Sequence, residues 1–303
     1  MRIAFFGTPD FAVSSLKKLV EHNKNIVAVI TAPDKPSGRG LQLQSSEVKI
    51  YAESQNLNIL QPTNLKSETF LKTFEALSVD IAVVVAFRMM PEILWSMPKK
   101  GTFNLHGSLL PKYRGAAPIN WAIINGEKET GVTTFFINQK IDTGALILQE
   151  SCPIQEQDDF GTMYQKLKEI GANLVLKTIE SIEKNEVKSI PQDIEGSNPA
   201  APKIDKDILL IHDFSSAQNI FNLVRGLNPV YKPYFIHNDK KYIIKKGHLV
   251  NQKEVNTNSV IETDNKTFLH LYCNDGVYAI DEIQAEGKKS MDIVSFFNGN
   301  KLD

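Results

Sequence analysis

Short runs that are apolar at nearly every position recur along the first third of the chain. Each is followed by a segment whose apolar residues fall at three- and four-residue spacing. Ile3–Phe6 is such a run, stopped by Gly7-Thr8-Pro9-Asp10, and Phe11–Val20 carries the helical spacing, so the pattern predicts strand, tight turn, helix. Ile26–Thr31 and Ile81–Phe87 read as further strands and Glu47–Gln55 as a helix. Strands that are apolar throughout, rather than alternating, predict a parallel sheet covered on both faces. Such a sheet binds its ligand beyond the carboxyl ends of its strands, so the loops after Phe6, Thr31, Phe87 and Leu105 are expected to converge on one edge.

From Gly131 the pattern changes. Val132–Asn138 and Ala145–Gln149 read as strands about the turn-rich Lys140–Gly144, and Phe160–Glu183 as a long helix that closes the first domain. Pro191–Pro202 mixes Pro, Gly, Ser, Asn and Ala without periodicity, the composition of a linker with few contacts to either side. Ser215–Leu227 is then an amphipathic helix, and five short strands follow, near Pro233–His237, Lys241–Lys246, Ser259–Glu262, Thr267–Cys273 and Val277–Ile283. The expected architecture is α/β: a Rossmann-like parallel-sheet domain over residues 1–189, a linker over 190–207, and a small oligonucleotide-binding-type β-barrel over 208–303.

Charge narrows the function. Thirty-four Lys and Arg against 35 Asp and Glu leave a formal net charge of −1, which excludes coating nucleic acid by bulk charge but allows a local basic patch. Cys152 and Cys273 are too few for a disulfide scaffold or a cysteine-built zinc site and suit a reducing compartment. The opening apolar run breaks at Gly7 and no later run approaches a membrane span, so the cytoplasm is the expected compartment, with no membrane partner.

Chemistry concentrates in Phe103–Pro118, FNLHGSLLPKYRGAAP. Asn104 and His106 lie two apart at the end of an apolar strand and so share a face. An Asn amide can donate to an oxyanion and a His can shuttle a proton; equally, Asn104 can cap a turn and His106 can be a hydrogen-bonded core histidine. Asp142 by itself reads as a turn residue. Gly7-Thr8-Pro9 lacks the further glycines of a dinucleotide loop and reads as a tight turn on the cleft floor. Asp34–Lys49, with Lys35, Arg39 and Lys49, reads as a long positive loop, either merely solvated or a polyanion contact. Lys232, Lys240, Lys241, Lys245 and Lys246 bunch with Tyr231, Tyr234 and Tyr242, which suits a nucleic-acid backbone or a lysine-protected sheet edge. Spacing alone leaves these alternatives open.

The run Asn104-Leu105-His106-Gly107-Ser108-Leu109-Leu110-Pro111, with Asp142-Thr143-Gly144 further on, resembles the signature of the formyltransferases that use 10-formyltetrahydrofolate. Arg114-Gly115-Ala116-Ala117-Pro118, Gly7–Ala12 and Pro33–Gly40 resemble the branch of that family whose acceptor is initiator methionyl-tRNA, and the likeness runs nearly the whole chain. The resemblance implies Asn104, His106 and Asp142 as the catalytic trio. Asn104 and a protonated His106 would steady the developing oxyanion, and Asp142 would hold and charge-balance the imidazole. It implies a folate pocket at Phe87, Met89, Ser108, Leu109, Leu110 and Pro111, and tRNA contacts from Lys35, Arg39, Lys49, Arg114, Lys240, Lys241, Lys245 and Lys246. It calls for no metal and for a monomer. Arg88, and Asn228-Pro229 in place of a common Trp-Pro, depart from the family pattern. A sugar-nucleotide N-formyltransferase shares the core motif; the basic loop around Arg39 and the lack of an evident diphosphate site speak against it.

Overall fold

A computed structural model of the protein describes residues 1–37, 42–193, 196, 198–250 and 260–302. In chain order it contains β1 (Ile3–Gly7), α1 (Asp10–Glu21), β2 (Ile26–Ile30), β3 (Lys35–Ser37), β4 (Gln42–Gln44), α2 (Glu47–Ser54), β5 (Ile59–Leu60), α3 (Glu68–Ala76), β6 (Ile81–Val85), α4 (Glu92–Trp95), β7 (Thr102–His106) and β8 (Arg114–Gly115). There follow α5 (Pro118–Ile124), β9 (Glu129–Phe136), β10 (Leu146–Pro153), α6 (Phe160–Glu183), β11 (Ala200–Ala201), a 3-10 turn at Asp207–Leu209 and α7 (Ala217–Leu227). The chain ends with β12 (Tyr234–His237), β13 (Lys240–Val250), β14 (Ile261–Thr263), β15 (Leu269–Cys273), β16 (Gly276–Ala285), β17 (Met291–Asp292) and α8 (Ile293–Phe297).

These elements divide into two compact units. The first comprises Met1–Gly115, Thr130–Cys152 and Tyr164–Ala200; the second comprises Ala116–Glu129, Pro153–Met163 and Ala201–Asp303.

The first unit is built on a seven-stranded sheet of order β10-β9-β7-β6-β1-β2-β5. β1 pairs in parallel with both β2 and β6, β6 with β7 and β2 with β5, as the apolar runs predict. β9 runs antiparallel to β7, with His106 opposite Thr133. The chain winds outward from β1 through β2 to β5, then returns to β6 on the other side, so the strand order reverses between β1 and β6. A reversal of this kind opens a crevice at the carboxyl ends of the strands. Gly7 lies at the floor of that crevice, and a Cβ there would stand 2.6 Å from the Cβ of Ala12. The glycine therefore allows α1 to pack tightly behind β1, which supports the turn reading of Gly7-Thr8-Pro9. One face of the sheet is filled by Phe6, Ile30, Phe70, Phe74, Val84 and Leu94. α3 supplies two of these; Ser67 caps it by accepting from the Phe70 N–H.

Two expectations change here. Part of the Asp34–Lys49 stretch is a small ladder, Lys35 opposite Gln44 and Pro36 opposite Leu43. Lys35, Pro36, Leu43 and Gln44 are exposed, so these positions write no alternating buried pattern into the sequence. The stretch after α6 is also not contact-poor. Ile190 exchanges both backbone hydrogen bonds with Leu146, and the Tyr113 N–H donates to the Pro199 carbonyl.

In the second unit an antiparallel sheet of order β12-β13-β16-β15-β14, with β17 beside β16, curls around Phe235, Tyr242, Ile244, Leu269, Leu271, Tyr278 and Ile280. β15 alternates buried and half-buried along Leu269–Cys273, the period of a strand with one covered face. Register shifts in β13 between Ile244 and Gly247 bend the sheet there. α5 belongs to this unit: the Asn120 amide donates to the Gly226 carbonyl of α7 at 2.7 Å, and a Cβ on Gly226 would stand 2.6 Å from Ile124 Cγ1. Arg225 binds the carbonyls of Gln155 and Asp158 through Nη1, and Asn222 Oδ1 through Nε and Nη2.

Candidate active site

The two faces of β7 are used differently. Phe103 and Leu105 point to the face covered by α6, where a Cβ on Gly171 would stand 2.8 Å from Leu105 Cδ2. Asn104 and His106 point to the opposite face. His106 is buried; Asn104 is half-buried, and its amide has no hydrogen-bond partner among the described residues.

After His106 the chain folds back on itself. The imidazole Nε2 lies 2.8 Å from the Tyr113 carbonyl, an arrangement that requires the proton on Nε2. The Ser108 hydroxyl donates to the Lys112 carbonyl at 2.7 Å. Thr133, fully buried opposite His106, donates its hydroxyl to the Ser108 carbonyl at 2.6 Å and accepts from the Leu110 N–H at 3.1 Å and from Gln149 Nε2 at 3.0 Å. Gln149 also donates to the Leu110 carbonyl at 2.8 Å. Residues 108–113 are thus shaped by hydrogen bonds to the two neighbouring strands.

Nδ1, the other ring nitrogen, faces Asp142 Oδ2 at 3.7 Å. That is within ion-pair reach but too long for a hydrogen bond. The carboxylate is fixed by a different donor, the Gly115 N–H at 2.9 Å. Asp142 adopts a left-handed backbone, φ 53°, in a turn closed by the Thr143 hydroxyl on Asn138 Oδ1 and the Lys140 carbonyl. Of the trio expected from sequence, His106 and Asp142 come within ion-pair reach, and Asn104 stands two residues before His106 on the same face of β7. Both imidazole nitrogens face protein groups, and Asn104 is the member with a free donor.

The residues expected at the folate lie on two adjacent loops, after β6 and after β7. Ala86 takes a left-handed backbone, φ 47°, at the end of β6, and Phe87 rests edge-on against Phe6 with ring centroids 5.5 Å apart. Met89 is 76% exposed. Arg88, whose size departs from the family pattern, donates to the carbonyls of Pro62 and Thr63 and sets its guanidinium 5.8 Å from the centroid of the Phe87 ring. Leu109 and Pro111 are half-buried, whereas Ser108 and Leu110 are buried.

The expected polyanion contacts separate. Lys35, Lys240 and Lys246 are exposed, Lys241 lies over the Tyr234 ring at 3.7 Å, and Lys245 is half-buried. Lys49 is held by Asp34 at 2.5 Å, and this bond, followed by one from Gln61, holds the Asp34 carboxyl below its usual range. Arg114 donates through Nε to the Asp142 carbonyl and through Nη2 to Gln192 Oε1. Arg39 lies outside the described residues. Among the described residues no group of three or more His, Cys, Asp or Glu is placed to hold a metal ion, and no helix is long and apolar enough to cross a membrane.

Sequence reasoning missed Thr133, Gln149 and Gln192, none of which left a signal: Thr133 is one of three threonines in β9, beside Thr130 and Thr134.

The formyl transferase family pattern matches residues 1–179, and its C-terminal domain pattern matches 203–301. The chain is 46% identical to a methionyl-tRNA formyltransferase of Parabacteroides distasonis, over 99% of this chain and 96% of that one. It is 44% identical to a methionyl-tRNA formyltransferase of Flavobacterium psychrophilum, with the same two coverages. Among solved structures it resembles WlaRD, a sugar 3N-formyl transferase determined with dTDP and 5-N-formyl-THF: TM-score 0.70, 25% identity, 95% of this chain and 99% of that one. Full-length identity of this order, with Asn104, His106 and Asp142 gathered at one sheet edge, places the protein: the chain belongs to the formyl transferase family, in its methionyl-tRNA formyltransferase branch.

Proposed function

We infer that the protein transfers the formyl group of 10-formyltetrahydrofolate to the α-amine of the methionine carried by initiator tRNA. The observation that carries the chemistry is the unpartnered Asn104 amide beside the His106–Asp142 pair. The amine nitrogen attacks the formyl carbon, a C–N bond forms, the bond to the folate nitrogen breaks, and that nitrogen takes up a proton. Asn104 donates to the carbonyl oxygen as negative charge builds on it. His106 and Asp142 take up the proton that the amine loses: a proton on Nδ1 would sit between the ring and the carboxylate, stabilised by both. This assigns oxyanion stabilisation to Asn104 and proton transfer to the pair, a narrower division than the motif alone implies.

The folate lies in the crevice at the strand-order reversal, between the Ala86–Met89 and Ser108–Pro111 loops, with Phe87 offering its ring. The tRNA is met by Lys35 and by Lys240 and Lys246 on β13, whose ammonium groups are exposed. Two free, buried cysteines suit the cytoplasm, where both substrates are found.

The sugar-nucleotide reading is weaker, since the sugar-directed neighbour is 25% identical against 46% for the tRNA-directed relative. Incubation with 10-formyltetrahydrofolate and either charged initiator tRNA or an amino-sugar nucleotide decides the acceptor. The expected product is formyl-methionyl-tRNA; formylation of the sugar alone would overturn the reading.

A further inference from the structure

Gln192 lies in a stretch whose composition reads as linker, yet its side chain spans the turn that presents Asp142. Its Nε2 donates to the Asp142 carbonyl at 3.0 Å and to the Gly144 carbonyl at 2.8 Å, the two residues that bracket Thr143. Its Oε1 accepts from Arg114, from Nε at 3.2 Å and from Nη2 at 2.7 Å. Turning the amide over would set Oε1 against two carbonyls and its NH2 against a guanidinium, so the orientation is fixed by its neighbours. Arg114 Nε reaches the Asp142 carbonyl as well, at 3.1 Å, so that oxygen receives two donors.

We propose that Gln192 is a positioning residue for formyl transfer, holding the backbone of Asp142 so that its carboxylate faces His106; this rests on the reading given under Proposed function. A left-handed backbone at a non-glycine residue persists only where its surroundings over-determine it. Here the peptide plane after Asp142 is held by Gln192 and Arg114, and the side chain by the Gly115 N–H. Without Gln192 the turn loses both hydrogen bonds that bridge it, and Arg114 keeps only its bonds to the Asp142 and Asp193 carbonyls. The carboxylate, then held only by the Gly115 N–H and through the Arg114 bond to its backbone, is less constrained toward the imidazole, while Asn104 and the folate loops keep their own supports. The chain leaving α6 is thereby part of the catalytic apparatus.

The test uses the full chain with Gln192→Met, close to isosteric but unable to make any of these bonds. Turnover should fall about 10–100-fold, the scale expected when a reacting group is displaced by about an ångström, with KM for folate and for charged tRNA within about two-fold. In an Asp142→Ala background the same substitution should cause no further loss, because its effect acts through that carboxylate. A merely structural role would multiply with Asp142→Ala and move the melting temperature. Independently of turnover, hydrogen exchange at the Gly115 N–H, bonded to Asp142 Oδ2, should accelerate in Gln192→Met. Wild-type turnover in the same assay tests the reaction itself; the ratio of variant to wild type and the exchange rate test Gln192. Unchanged exchange, unchanged turnover or multiplicative effects would overturn the proposal.

Discussion

A Cβ on Gly144 would collide with the carbonyl oxygen of Phe136, so the two backbones are in contact where the turn that carries Asp142 rejoins β10. The glycine of Asp142-Thr143-Gly144 is there because no side chain fits. The same tight return puts Asp142 in its left-handed conformation and leaves the Gly144 carbonyl pointing at Gln192. Gly144→Ala should therefore act on catalysis through backbone displacement, lowering turnover by about 10²-fold. The sheet should remain folded, as circular dichroism would show. Wild-type rates in this variant would mean that the turn tolerates the shift and that Asp142 does not need its present place.

Thr133→Val removes a hydroxyl that serves Ser108, Leu110 and Gln149 at once and leaves the Leu110 N–H and Ser108 carbonyl without partners in the interior. Each unsatisfied buried group costs about 1–3 kcal/mol. Folate affinity should fall together with stability, because the loop released is the one proposed to line the pocket. Calorimetric folate binding and a thermal melt check both; a stable variant with normal folate affinity would remove Thr133 from the loop's support.

Lys240 and Lys246 are exposed on β13, and their replacement by alanine should weaken tRNA binding while leaving turnover at saturating tRNA unchanged. Each lost phosphate contact flattens the dependence of log K on log salt by about 0.7–0.9. An unaltered slope would place the RNA elsewhere on the molecule.

The parallel sheet was legible in sequence because β1, β2 and β6 are nearly continuous apolar runs, whereas Asn104, His106 and Asp142 stood out only through the family signature they resemble, since their spacing left a turn cap and a core histidine equally open. What supports the trio was not legible. Thr133, Gln149 and Gln192 act through hydrogen bonds to groups tens of residues away in sequence, which leave no periodicity. The role of Gly115 is a backbone N–H and has no side chain to read. α5 was hidden for another reason: it lies inside the first domain by sequence but packs on α7, and pattern along a chain does not report such a return.

That return changes what a truncation would do. Cutting near Ile190, as the linker composition invites, removes the Gly226 carbonyl that satisfies buried Asn120 and the guanidinium that satisfies Gln155 and Asp158. It also removes Gln192. The fragment 1–190 is expected to melt well below the full chain and to aggregate through the exposed face of α5. A fragment as stable as the full chain, with normal folate affinity, would show these contacts to be dispensable.

The most direct test of the account is single-turnover formyl transfer to charged initiator tRNA by Asn104→Ala, with both substrates bound at saturation. Asn104 is taken to act on the oxyanion and not on the bulk of either substrate. The rate should therefore fall by about 10²–10³, the loss typical of one oxyanion donor, while both dissociation constants stay within about three-fold of wild type. A rate within a few-fold of wild type, or a loss confined to the dissociation constants, would contradict the assignment of the free amide on β7 as the group that stabilises the transition state.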